Sequence, residues 1–171
     1  AAGYARDRKI PYLGLCYGMQ LAVVSFARDI LGWQDANTTE NDKKTKHPVI
    51  TLMPKQQKFM KRRAYGGTMR LGSWDAIVKK GTRTYDIYKT QHTAERHRHR
   101  YEFNNDFTSD FEKNGMIFSA RSVVENLVEI IELPKDKHPF YMATQGHPEY
   151  KSRPLSPHPL FLAFIEAVSK N

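Results

Sequence analysis

Ile10-Pro-Tyr-Leu-Gly-Leu-Cys-Tyr-Gly-Met-Gln20 is the stretch on which the reading of this chain turns. Ile10 to Leu15 is a short apolar run of the kind that forms a buried central strand. From about Gly18 the pattern changes. Met19, Ala22, Val23, Phe26, Ala27 and Ile30 recur at the spacing of one helical face, with Arg28 and Asp29 on the polar side and Gly32 as a natural stop. Cys16 therefore stands between a strand and a helix. Gly14 and Gly18, two residues to either side, permit a tight turn by removing Cβ clashes where the backbone of a nucleophile is strained. Such a turn lifts the side chain above the sheet edge. It also aims the first amides of the helix at the sulfur, which lowers the thiol pKa and helps to hold a developing oxyanion. The plain alternative is a small buried cysteine between two packing glycines, so the partners decide.

The partner is His147-Pro-Glu149, which follows a predicted strand over Phe140 to Gln145. His147 has the role of general base and later acid. Glu149 would orient the imidazole and stabilise its charged form, and Pro148 stiffens the link between them. Three further His-Pro pairs, at His47, His138 and His158, show that the dipeptide alone is weak. The preceding strand and Glu149 set this one apart. Cys16 is the one cysteine, so no internal disulfide can form. That fits a reducing, cytoplasmic setting, in which a lone Cys with distant histidines is a candidate nucleophile. Asn37-Thr-Thr39 matches a glycosylation pattern by chance on this reading.

Around this pair the chain reads as one α/β domain over residues 1–171, with some antiparallel pairing. Val49 to Met53, Leu71 to Val78, Gly115 to Ala120 and Leu127 to Leu133 are strand candidates, with Thr84 to Lys89 a weaker one. Pro134 to Pro139 reads as a hairpin connection. Lys55 to Arg63 and Gly66-Gly-Thr68 read as basic, flexible loop. Leu160, Phe161, Phe164, Ile165 and Val168 form the apolar face of a last helix entered through Pro157 and Pro159. No apolar run is long enough to span a bilayer, and the N-terminal residues lack a signal-peptide core. A formal charge of +9 admits a nucleic-acid partner, or a basic face for an acidic domain or anionic ligands. The Arg-rich stretch Glu95 to Arg100 taken alone suits a solvated face or a phosphate-binding strip.

Gly14-Leu-Cys-Tyr-Gly-Met-Gln20 with Gly146-His-Pro-Glu149 resembles the class I (triad) glutamine amidotransferases. Gly32-Trp-Gln-Asp-Ala-Asn-Thr-Thr-Glu40, Gly66-Gly-Thr-Met-Arg-Leu-Gly72, Glu95-Arg-His-Arg-His-Arg-Tyr-Glu-Phe-Asn104 and His147-Pro-Glu-Tyr-Lys-Ser-Arg-Pro154 narrow the resemblance to the amidotransferase domain of the CTP synthase family. The resemblance implies a three-layer α/β sandwich around a mostly parallel sheet, here N-terminally truncated. It implies glutamine hydrolysis by Cys16, His147 and Glu149. Ammonia would pass to a synthetase domain, absent from this chain, that aminates UTP to CTP with ATP and Mg²⁺. GTP would activate, and the full-length enzyme would be a homotetramer. Tyr17 (through its backbone N–H), Gln20, Glu40 and Arg100 match glutamine-contacting positions, with Arg98 as the alternative to Arg100. Arg70 falls in a loop that the family links to the GTP response. Tyr17 replaces the Leu expected there in this family, but Tyr occurs at that place in related amidotransferases. The family's Gly-rich loop upstream of the nucleophile strand, which supplies the other oxyanion donor, does not precede Ile10, so the chain as it stands is expected to be a weak or silent glutaminase. Neither a metal nor a cofactor site is assigned within the chain. Nucleic acid and membrane are not expected partners. The competing readings are the glutaminase of another amidotransferase, such as GMP synthase, and a non-catalytic basic binding module.

Overall fold

The computed structural model describes residues 1–52 and 69–171. The basic stretch from Lys55 to Arg63 and Gly66-Gly-Thr68 lie outside the described residues. A six-stranded sheet forms the centre, in the order β1 (Tyr12–Leu15), β9 (Tyr141–Thr144), β8 (Val128–Glu132), β7 (Ile117–Ser122), β4 (Arg70–Val78), β5 (His92–His99). A small second sheet joins β2 (Asn37–Thr38), β3 (Pro48–Leu52) and β6 (Tyr101–Phe103). The pairing departs from a mostly parallel sheet. In the six-stranded sheet only β1 and β9 run parallel, and the other four pairings are antiparallel. Part of the reason is connectivity: β7 with β8 and β8 with β9 are joined by connections too short for a crossover helix.

Three layers result. Along β1 and β9 successive side chains alternate between two cores. Tyr12, Tyr141 and Ala143 meet Met19, Ala22, Val23, Phe26 and Ala27 of helix α2 (Tyr17–Asp29), together with Phe103, Phe111 and Phe118. Leu13 and Met142 point the other way, onto Leu160, Ala163, Phe164 and Ala167 of α5 (Pro159–Ser169) and Tyr85, Ile87 and Tyr88 of α3 (Arg83–Tyr88). Two short helices, α1 (Ala2–Asp7) and α4 (Thr108–Lys113), complete the chain's helices among the described residues. Among the described residues no helix is long and apolar enough to cross a membrane.

Some sequence expectations need correction. Thr84 to Lys89 is not a strand but most of α3. Thr82 caps it by accepting from the Tyr85 amide, and the buried Glu132 carboxylate accepts from the Arg83 and Thr84 amides at 2.8 and 2.9 Å. A carboxylate reaching across from β8 satisfies amides that local sequence leaves open. On α5 the core face is Leu160, Ala163, Phe164 and Ala167, while Ile165 and Val168 are exposed. Ile30, just past the end of α2, is likewise exposed.

Candidate active site

The parallel pair β1–β9 brings the two sequence motifs together. Leu15 is in register with Thr144, and the Cys16 amide donates to the Thr144 carbonyl at 2.8 Å. Both strands end at the same edge, so Cys16 and the Gln145-Gly146-His147 segment leave the sheet side by side. Cys16 has φ 48° and ψ −101°, a conformation that L residues rarely adopt. The turn is tight enough that a Cβ on Gly14 would sit 2.9 Å from the Gly18 carbonyl carbon and 2.9 Å from the Tyr12 hydroxyl. Gly14 is thus sterically required. Gly18 is not: a Cβ there meets nothing closer than 3.7 Å.

His147 is held from two sides. Its amide donates to the Arg96 carbonyl at 2.8 Å, and its Nδ1–H donates to Glu149 Oε1 at 2.6 Å. Pro148–Tyr150 form a 3₁₀ turn that fixes this spacing. Nε2 is buried and has no hydrogen-bond partner among the described residues. The imidazole is therefore anchored through one nitrogen and free to exchange a proton through the other. The Cys16 thiol lies above its ordinary range. Burial is the main cause, opposed by hydrogen bonds from the Tyr17 amide and the Gln145 side chain, with the charges of Glu102 and Glu149 adding to the rise. At neutral pH the resting site holds a thiol, which needs a base.

Beside the sulfur is a cleft of about 240 Å³ lined by Cys16, Tyr17, Gln20, Glu40, Met69, Arg98, His99, Arg100 and Tyr101. All four proposed glutamine-contacting positions, and the alternative Arg98, are among them. Glu40 and Arg100 both act on the Tyr101 phenol, whose pKa is raised first by burial and then by the Glu40 charge. The Gln20 side chain is turned inward: it is buried, and its Nε2 donates to the Tyr101 carbonyl at 3.0 Å. The Tyr17 hydroxyl accepts from Asn41 at 3.2 Å, which ties the nucleophile turn to the loop carrying Glu40.

The Arg-His alternation is a strand, not a solvated strip. In β5, Arg96 and Arg98 point outward while His97 and His99 point in. Arg70 is the first residue of β4 rather than part of a loop, and its guanidinium is buried between Glu102 and Glu129, at 3.3 and 2.7 Å. Burial, then the nearby Arg70 charge, lowers His97 to about 2 and His99 to about 3, so both rings are neutral. Because the Tyr101 carbonyl can only accept, the His99 nitrogen 3.1 Å away carries the ring proton. His99 Nε2 then accepts from His97 Nδ1–H at 2.8 Å. The remaining His97 nitrogen is a lone pair facing Glu129 Oε2 at 3.3 Å. A protonated carboxyl suits it, and burial raises the pKa of Glu129 and takes Glu102 to about 8. This cluster, and Gln145, were missed in the sequence. A buried strand that carries polar side chains on its inner face reads as exposed when only composition is considered. No group of side chains suited to a metal ion occurs among the described residues.

The class I glutamine amidotransferase family model matches residues 1–167. The chain belongs to that family. It is 55% identical over 168 residues to the CTP synthase of Caldanaerobacter subterraneus subsp. tengcongensis, covering 98% of this chain and 30% of that protein. It is 53% identical over 170 residues to the CTP synthase of Sulfolobus acidocaldarius, covering 99% of this chain and 31% of that protein. The solved glutaminase domain of Trypanosoma brucei CTPS, with bound acivicin, superimposes with a TM-score of 0.90 at 37% identity, over 99% of this chain and 64% of that one. The chain thus spans under a third of the length of the CTP synthases it matches. The fold is the class I glutamine amidotransferase fold of that glutaminase domain, as the sequence implied.

Proposed function

We propose that this chain is the glutamine-hydrolysing part of a CTP synthase. The observation that supports the reading is that the parallel strands β1 and β9 end side by side, the first at Cys16 and the second just before the His147–Glu149 pair, with a cleft lined by one carboxylate and two arginines beside Cys16. Such a cleft suits an amino acid. Glu40 pairs with the α-ammonium, and the Arg100 guanidinium, with Arg98 as the alternative, takes the α-carboxylate in a two-pronged contact.

His147 Nε2 takes the thiol proton as Cys16 Sγ attacks the side-chain carboxamide carbon. The Tyr17 amide donates to the oxyanion of the tetrahedral intermediate. His147 then returns the proton to the nitrogen, and ammonia leaves a thioester on Cys16. A water, deprotonated by the same nitrogen, splits the thioester to glutamate and restores the thiol. Glu149 keeps Nδ1 protonated, and hence Nε2 available, throughout. The full reading extends to a synthetase domain that spends ATP with Mg²⁺ to aminate UTP, to GTP as activator, to a homotetramer and to the cytoplasm. The similarity to whole CTP synthases, of which this chain spans under a third, supports the synthetase partner.

The test uses an electrophilic glutamine analogue and intact mass. Single labelling of the chain, blocked by excess glutamine and absent in Cys16→Ala, is expected. A folded chain that takes no label, alone and within the full-length gene product, overturns the glutaminase reading.

A further inference from the structure

Gln145 is fully buried, and no step above uses it. Its amide follows β9, where the Gln145 N–H donates to the Glu129 carbonyl at 2.8 Å, so its backbone is fixed by the sheet. Its side chain belongs to a three-member chain of contacts. Gln20 Nε2 donates to the Tyr101 carbonyl at 3.0 Å and to Gln145 Oε1 at 3.4 Å, and Gln145 Nε2 lies 3.7 Å from Cys16 Sγ. The direction of this chain is forced. A backbone carbonyl only accepts, so Gln20 must turn its NH₂ end toward Tyr101. That same NH₂ then meets Gln145, which must answer with its oxygen. The amide has one oxygen, so its NH₂ end is left for the sulfur. A flipped Gln145 would set two donors against each other at one end and an acceptor against the thiolate at the other.

We propose that Gln145 is a catalytic residue whose side-chain amide donates to the Cys16 sulfur, in an orientation fixed by Gln20. The proposal rests on Cys16 being the nucleophile. Gln20 is then a positioning residue that acts through Gln145. Because Tyr101 lines the cleft, the contact also runs from the strand beside the substrate to the reacting atom. The donor opposes the burial that raises the thiol, as a hydrogen bond to the charged form does. It is a second donor beside the Tyr17 amide, and unlike that amide it is free to remain on the sulfur when the Tyr17 N–H turns to the oxyanion.

Cys16 is the one cysteine, so alkylation by iodoacetamide reads it alone. The pH midpoint of the alkylation rate is measured for the chain and for Gln145→Met and Gln20→Met, with circular dichroism to establish folding. The midpoint is expected to rise by about one pH unit in Gln145→Met and by about half that in Gln20→Met, where the amide is present but no longer oriented. At pH 7.5 the rate falls roughly five- to tenfold in Gln145→Met. An unmoved midpoint in folded Gln145→Met overturns the proposal. If that variant does not fold, the unsubstituted chain decides by NMR. The Gln145 side-chain NH₂ resonances are expected to titrate with the Cys16 midpoint and to stay flat in Cys16→Ser, and flat resonances in the unsubstituted chain overturn the proposal. None of these measurements needs glutamine. A shifted midpoint in a chain that neither hydrolyses glutamine nor takes the electrophilic analogue would count against the glutaminase reading alone. Normal labelling with an unmoved midpoint would count against Gln145 alone.

Discussion

The backbone strain at Cys16 gives a stability comparison in which chemistry plays no part. Cys16→Ala and Cys16→Gly both remove the thiol, and they differ only in whether a Cβ remains. At φ 48° and ψ −101° that Cβ is what makes the conformation costly. Such a residue costs about 1–3 kcal/mol. Cys16 also precedes the first turn of α2 without a side-chain cap, and at an ordinary helix N-cap glycine exceeds alanine by at most about 1 kcal/mol. The two contributions add, so Cys16→Gly is expected to be more stable than Cys16→Ala by about 2–3 kcal/mol. For a domain of this size that is a melting temperature higher by roughly 4–12 °C. Urea denaturation at equal m-value and calorimetry both read the gap. The turn is pinned by the Cys16 N–H on the Thr144 carbonyl and by the Gln20 N–H on the Cys16 carbonyl, so neither variant has reason to abandon it. A gap of about 1 kcal/mol or less would be the capping effect alone, and the claim of stored strain would fail.

Gly14→Ala is expected to destabilise the chain by about 1–3 kcal/mol through its clash with the Gly18 backbone, whereas Gly18→Ala is expected to be neutral or slightly stabilising, as read by urea midpoints. Glu149→Gln keeps the shape of the His147 contact and removes its charge; with Glu149 partly exposed, kcat for glutamine hydrolysis should fall about 10- to 100-fold with little change in KM, and an unchanged kcat would remove Glu149 from the mechanism. Glu102 titrates near 8 in the fold against about 4.5 unfolded, so the folded chain holds a proton there that the unfolded chain has lost. The stability this gives is complete below about pH 4.5 and is lost as pH rises through 8. Melting temperature should therefore drop between about pH 4.5 and 8, and Glu102→Gln, which mimics the protonated carboxyl, should flatten the drop; an equal drop in both would assign it elsewhere.

What the sequence disclosed and what it withheld differ in a physical way. The turn at Cys16 was legible because its signals are local: an apolar run, a helical period and a glycine whose Cβ has no room. His147 and Glu149 were legible because they are two residues apart on a stiff link. Gln20, Glu40 and Arg100 line one cleft, but for them the spacing alone had said nothing, and the resemblance to a family carried the reading. The inner face of β5 was opaque. His97 and His99 alternate with Arg96 and Arg98, and a period of two with a polar residue at every position gives no hydrophobic signal to show which side is buried. Their burial depends on Arg70, Glu102 and Glu129, which come from β4, β6 and β8 and meet only through the sheet order. Gln145 was opaque for the same reason, since its two partners lie 125 and 129 residues away in the chain. The helix at Arg83–Tyr88 was misread because its N-terminal amides are satisfied by Glu132, 48 residues downstream of Thr84. In each case the deciding contact is a hydrogen bond between distant elements. A polar side chain becomes interior only when the fold delivers its partner, and the burial that makes Gln145 matter to Cys16 is the same burial that hid it from a reading by hydropathy.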